Sequence, residues 1–166
     1  MKTPICEVCL NSDILCGGCQ GKLQRGELTQ AEVSVSKFLF KLSDGVKSLK
    51  DASVLKIIDG DVLVIVAAKG DAPRIVGKAG AIVKALAKEF GKSIRVIEES
   101  DFKTFVQNIV SPLPVNGVNV LYTPEGEVLR VRLPVMQKNR LLISGESFSS
   151  IISIVFGKKA ELVFED

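Results

Sequence analysis

Arg74-Ile75-Val76-Gly77-Lys78-Ala79-Gly80 is the stretch on which the reading of this chain turns. Two glycines bracket two residues, and the apolar pairs Ile75-Val76 before them and Ile82-Val83 after can wall a groove. Glycine has no Cβ, so the backbone at both ends of such a loop can come close to an anion. The run that follows, with Ile82, Val83, Leu86 and Phe90 on one face, predicts a helix over Gly80–Phe90 stopped by Gly91. Amides in the first turn of that helix, aided by its dipole, face the same anion. Lys78 supplies a counter-charge inside the loop, and Lys84 extends it one turn along the helix. A P-loop is excluded because G-x-x-x-x-G-K-[ST] is absent, and a dinucleotide fingerprint because the G-x-G is missing. Taken alone, a G-x-x-G is equally well a plain turn between two helices.

Charge singles out the same region. The 166-residue chain carries 22 Lys/Arg against 19 Asp/Glu. Residues 1–68 are balanced, with eight of each sign. Residues 69–95 hold seven basic side chains (Lys69, Arg74, Lys78, Lys84, Lys88, Lys92, Arg95) against Asp71 and Glu89, a net of +5. Residues 96–166 hold seven basic and nine acidic side chains. A charge run is usually a solvated face, but one that coincides with a glycine loop reads as a phosphate or nucleic-acid footprint.

Working outward, Ala72 onward predicts a short helix before the loop, and Ser93–Ile97 a strand after the long helix. Upstream, Glu27–Glu32 opens an amphipathic stretch that runs toward Leu49 with a break near Ser43-Asp44-Gly45. Ser53–Ile58 and Val62–Ala68 are β-branched runs separated by Asp59-Gly60, a hairpin signal. The order is helix, strand, strand, helix, helix, strand. A second copy follows: helix Phe102–Val110 ended by Pro112, strands Val118–Tyr122 and Val128–Val135 around Thr123-Pro124-Glu125-Gly126, a short helical segment near Asn139–Ile143, a helix over Ser147–Phe156, and strand Ala160–Phe164. Phe90-Gly91-Lys92 recurs as Phe156-Gly157-Lys158, which marks the repeat. At the second loop position the chain reads Leu142-Ile143-Ser144-Gly145-Glu146-Ser147, with no bracketing glycines and with Glu146 where a phosphate would lie. That unit is expected to be a packing partner or interaction surface, its serines acting as helix caps.

All four cysteines fall in the first 19 residues, as Cys6-Glu-Val-Cys9 and Cys16-Gly-Gly-Cys19. Two C-x-x-C pairs supply four soft ligands of the kind tetrahedral Zn²⁺ prefers, and a closed four-cysteine site is structural rather than catalytic. Gly17, Gly18 and Gly21 are expected to permit the positive-φ turns of a compact knuckle. The competing readings are a [4Fe–4S] cluster, which uses the same ligand set, a disulfide pair, and a redox C-x-x-C. The last expects a strand leading into a helix at the pair, and nothing of that kind precedes Cys6.

Composition narrows the function classes. At 46% hydrophobic and 25% charged residues the chain is globular, and no apolar run approaches the roughly 18–20 residues of a membrane span. MKTPICEVC lacks the layout of a secretory signal, so the expected location is the cytoplasm. The absence of histidine removes histidine triads, histidine bases and Cys/His fingers. With no tryptophan and a single tyrosine, Tyr122, there is little surface for stacking bases. No acid–base pair or nucleophile constellation stands out, and the expectation is a protein that is not an enzyme.

The helix–loop–helix with its G-x-x-G is the arrangement of a KH domain, whose loop clamps the backbone of about four single-stranded nucleotides. Ile75–Gly80, the helix up to Phe90-Gly91-Lys92, Ile94-Arg95-Val96-Ile97-Glu98 and the continuation Glu99 to Pro112 together resemble the archaeal NusA-like family. The resemblance covers about residues 28–166, and most strongly 62–112. It implies an α/β (α+β) architecture of two tandem type II KH-like units, 27–100 with the loop and 101–166 without it; the Cys₄ zinc knuckle expected over 1–26 from the cysteine spacing is an addition to that two-KH pattern. It implies single-stranded RNA binding, here through Arg74, Ile75, Val76, Gly77, Lys78, Ala79, Gly80, Ile82, Val83 and Lys84, while the cysteine spacing separately predicts one structural Zn²⁺ on Cys6, Cys9, Cys16 and Cys19. It further implies a role in transcription termination, antitermination or elongation, with RNA polymerase as partner. The alternatives are a factor of the small ribosomal subunit or its assembly and, in another class, a thiol or Fe–S redox protein.

Overall fold

The computed structural model describes residues 1–166. It is a mixed α/β structure with two separate three-stranded sheets, and the chain divides into two compact units. One comprises 1–59 with 63–99, the other 60–62 with 100–166.

In the first unit, helices α1 (Glu7–Leu10) and α2 (Gly17–Gln24) precede α3 (Gln30–Ser43) and α4 (Lys47–Lys50). Strands β1 (Val54–Ile58) and β2 (Leu63–Ala67) are antiparallel, with Ile58 opposite Val64. After α5 (Ala72–Val76) and α6 (Ala81–Phe90), β3 (Ile94–Glu98) returns parallel to β2, Leu63 opposite Ile94 and Ala67 opposite Glu98. Five of five residues of the central strand β2 are buried, as expected for a strand with a parallel neighbour. Leu63, Ile65 and Ala67 pack with Val35 and Leu39 of α3, Ile75 of α5, and Ile82 and Leu86 of α6. Phe38 and Phe90 add an edge-to-face contact at 5.7 Å.

The hairpin expected at Asp59-Gly60 forms, but its turn is longer than two residues. Asp59 to Val62 all lie outside the strands, and Gly60 does not adopt positive φ. The start of α3 is held by a reciprocal cap. The Glu32 amide donates to Thr29 Oγ1 at 3.2 Å, and the Thr29 amide donates to Glu32 Oε2 at 2.9 Å. Glu32 is 1% exposed, and the Lys56 ammonium of β1 lies 3.2 Å from its Oε1, so the same carboxylate ties helix to sheet.

The second unit repeats the order. Helix α7 (Phe102–Val110) starts at Asp101, whose carboxylate accepts from the Thr104 amide at 3.1 Å. Strands β4 (Gly117–Thr123) and β5 (Gly126–Pro134) are antiparallel, and β6 (Lys159–Glu165) runs parallel to β5. Helix α8 (Gly145–Phe156) leads into β6, and Phe156 packs edge-to-face on Phe102 and Phe105 at 5.3 and 5.2 Å. Gly157 ends α8 at φ 65°, as Gly91 ends α6 at φ 64°, so the repeated Phe-Gly-Lys is a repeated left-handed helix stop. Two expectations shift. The short helical segment is a 3₁₀ turn over Val135–Arg140 rather than Asn139–Ile143, and α8 begins at Gly145, two residues early. Ser144 explains the second shift, because its hydroxyl accepts from the Ser147 amide and caps the helix there. No helix is long and apolar enough to cross a membrane.

Thr29→Ala is expected to cost about 1 kcal/mol, the loss of one cap. Glu32→Ala is expected to cost about 2–3 kcal/mol, since it also leaves the Thr29 amide and Lys56 without an acceptor. Urea unfolding of both variants measures this; equal losses would show that the Lys56 contact contributes nothing.

Candidate functional site

The crossover from β2 to β3 builds the loop. Ile75 at the end of α5 and Ile82 at the start of α6 are both core residues, 0% and 3% exposed, so the chain between them must reverse within a few residues. Gly77 caps α5 at φ 78°, ψ 170°. A Cβ there would lie 2.8 Å from both Cγ1 and Cδ1 of Ile82, so the position needs glycine for space as well as for conformation. Ala79 is left-handed at φ 54°, and Gly80 follows at φ 71° as the N-cap of α6. Around Gly80 a Cβ would meet nothing within 4 Å, and no side chain caps the helix. The Gly80 and Ala81 amides already donate to the Gly77 and Lys78 carbonyls, so what the loop presents is the positive end of a ten-residue helix beside backbone that no side chain covers.

The remaining residues sort by depth. Lys78 and Lys84 are exposed, while Val76 and Val83 are half-buried beside the loop. Ile75 and Ile82, expected to wall a groove for bases, instead lie in the core and form the floor that positions the loop. Arg74 donates to Asp71 Oδ1 at 2.9 Å and to the Asp51 carbonyl at 3.3 Å. Asp71 in turn accepts from the Ser53 amide at 2.9 Å, so Arg74 helps fasten α5 to β1. In the second unit no residue of Leu142–Ser147 has positive φ, Ser144 satisfies one amide of α8, and Glu146 occupies the first turn. That unit has no phosphate loop.

The four cysteines converge. Cys6 Sγ lies 3.4, 3.7 and 3.8 Å from the sulfurs of Cys9, Cys16 and Cys19, and all four fall within 4.8 Å of one another. A tetrahedron with arms of about 2.3 Å has edges of about 3.8 Å, so the cluster has the dimensions of a four-thiolate metal site. All four are free cysteines. Cys6 and Cys16 are the N-caps of α1 and α2. The Cys16 amide donates to Cys9 Sγ at 3.1 Å, and the Cys19 amide to Cys16 Sγ at 3.5 Å. The Cys19 amide is the main influence on the Cys16 thiol, which with the Cys9 and Cys6 sulfurs it lowers to about 6. At Cys9 the Cys16 amide favours the thiolate, but burial and the three neighbouring sulfurs outweigh it and push the thiol up to about 12. Four sulfurs this close ionise together only with a cation between them, which is the condition a metal satisfies.

Gly17, Gly18 and Gly21 do not make positive-φ turns; all three lie in α2 with ordinary helical backbone. The physical reason is the Cys16 sulfur, which accepts from the amide three residues on as a serine cap would, and so starts a helix where a bare turn was expected. Each C-x-x-C thus opens a helix, yet no strand leads into either, and the sulfurs point at a shared centre. Cys9 and Cys19 are buried with Ile5, Leu10, Leu28 and Val33 in a core of their own, against which Phe40 of α3 packs. Lys2 pairs with Ser53 beside β1, and Lys37 of α3 donates to the Asp13 carbonyl at 3.1 Å. Residues 1–26 fall within the first unit.

No family model matches the chain. It is 37% identical over 76 residues to a probable transcription termination protein NusA of Methanococcus vannielii, covering 45% of this chain and 44% of that one. It is 30% identical over 63 residues to a probable transcription termination protein NusA of Methanocaldococcus jannaschii, covering 37% and 34%. The matched segments thus span less than half the length of these curated relatives. Among solved structures, the crystal structure of APE1850 aligns with a TM-score of 0.57 at 20% identity over 75% of this chain and 96% of that one, a likeness of fold. The chain has weak, partial homology to archaeal NusA-like proteins.

Proposed function

We propose that the first unit is a KH domain that binds single-stranded RNA, and that the chain serves as a NusA-like factor acting with RNA polymerase. The observation that carries this reading is the uncapped start of α6 at Gly80, open to solvent in the +5 window of the chain. A phosphate approaching Gly80 meets the positive end of the helix dipole, with Lys78 and Lys84 adding charge. Val76 and Val83 line the side toward which bases turn, and Ile75 and Ile82 hold the loop in place from below. The chain acts as a binding protein rather than an enzyme, since amides and ammonium groups position a strand but offer no nucleophile. The partial likeness to two relatives named for transcription termination supports a transcriptional role over a ribosomal one.

In the same reading Cys6, Cys9, Cys16 and Cys19 hold one Zn²⁺. Four protein ligands leave no open position, so the ion would neutralise the thiolates and cross-link the N-terminal segment. The dimensions of the sulfur cluster support this.

Changing Lys78-Ala79 to Asp-Asp tests the loop. Both glycines stay, and aspartate tolerates the left-handed conformation of Ala79 better than most residues, so the fold should survive by circular dichroism. Loss of Lys78 removes about one phosphate contact and lowers the salt slope by about 0.7. With repulsion from two carboxylates, RNA affinity should fall at least about tenfold, or about 1.4 kcal/mol, similarly for all sequences. Asp-Asp at Ser144-Gly145, where aspartate is itself a good cap, should leave binding unchanged. A folded Lys78-Ala79 variant that binds as well as wild type would sink the KH reading.

Elemental analysis should find about one zinc per chain and none after Cys9→Ser. Because Cys9 and Cys19 share a core with Val33 of α3, that variant should also lower the thermal midpoint of the first unit. Iron with a brown colour would replace zinc by a cluster.

A further inference from the structure

Helix α6 buries Ile82 and Leu86 and turns Phe90 inward. Its opposite face carries Ala81, Lys84 and Lys88, all exposed. Lys84 and Lys88 stand one turn apart, about 6 Å along the axis, near the spacing of successive phosphates in an extended strand. Neither forms an ion pair, whereas Lys92, beyond the helix stop at Gly91, is already held by the Asp59 carboxylate. Like charges at i and i+4 repel, so the pair costs the free helix something that a polyanion would relieve. Each lysine follows a small, half-buried apolar residue, Val83 or Ala87, and this flank gives bases a low surface beside the charged track. Glu89 is exposed on the other side of Lys88, away from that flank.

We infer that the outer face of α6 carries a single strand of RNA onward from the loop, with Lys88 holding a phosphate beyond the nucleotides the loop clamps and Lys92 marking the end of the track. The inference rests on the RNA reading of the loop. Lys88 is a positioning residue: it contacts backbone, so it lengthens the footprint without choosing the sequence.

The test uses the full chain with oligouridylates of four and eight nucleotides, titrated at several salt concentrations. Wild type should bind the longer oligomer with the steeper salt slope. Lys88→Gln should match wild type on the short oligomer and lose about 0.7 from the slope on the long one, which corresponds to about fivefold in affinity at 0.1 M salt. Lys88→Arg should restore the long-oligomer slope. If Lys88→Gln matches wild type on both lengths, the lysine is merely solvated and the track does not exist. If it loses equally on both, Lys88 belongs to the loop site and the extension is wrong. Failure of the underlying reading looks different: the Lys78-Ala79 Asp-Asp variant would then bind the short oligomer as wild type does.

Discussion

Parallel pairing of β2 with β3 is the constraint from which the candidate site follows. A parallel neighbour is out of reach of a tight turn, so the chain must travel back along the sheet before it can pair again. Residues 68–93 make that return, and they do it with two helices that cover the apolar face of the sheet. Ile75 pins the end of the first helix and Ile82 the start of the second, both at full burial. What lies between is forced into a reversal so tight that Gly77 packs where a Cβ would overlap Ile82. The bare helix start at Gly80, with no side chain capping it, is thus a consequence of closing the crossover.

Helix α3 joins two cores. Val35 and Leu39 face the sheet, while Val33 and Phe40 face the cysteine core, so the helix transmits packing from one to the other. Its first turn is fixed by Glu32, a fully buried carboxylate that serves the Thr29 amide and the Lys56 ammonium at once. A buried acid is tolerable only when its oxygens are engaged, and these belong to a cap and to an ion pair. The N-terminal segment is laced to the same unit through Lys2 and Lys37. A metal on the four sulfurs would therefore act on the stability of α3 as well as on the short helices that carry the ligands.

The second unit shows how little of the fold depends on the loop. It repeats the sheet order, the parallel crossover and the left-handed helix stop at Gly157. At the helix start, however, the Ser144 hydroxyl takes up an amide that a phosphate would need, and Glu146 adds a negative charge nearby. Fold is set by a distributed pattern of buried residues, whereas the proposed anion site would depend on two or three positions at one helix terminus. The same architecture can therefore keep its core and lose its ligand.

The sequence by itself determined the order of elements in both units, the helix stops at Gly91 and Gly157, the cysteine ligand set and the loop between α5 and α6. These are local signals: apolar periodicity, turn residues and ligand spacing act over a few residues and need no distant partner. Tertiary structure decided the rest. Ile75 and Ile82 looked like groove residues because exposure is not written in their identity; only packing against β2 and α3 sends them inward. Gly17 and Gly18 looked like turn residues because a cysteine was not read as a helix cap, a role the Cys16 sulfur takes by accepting from the Cys19 amide. The engagement of Arg74 by the Asp51 carbonyl, and of Glu32 by Lys56, joins residues more than twenty positions apart. Such pairs arise when the sheet closes, because a charge finds its partner through the geometry of the core and not through its neighbours in the chain.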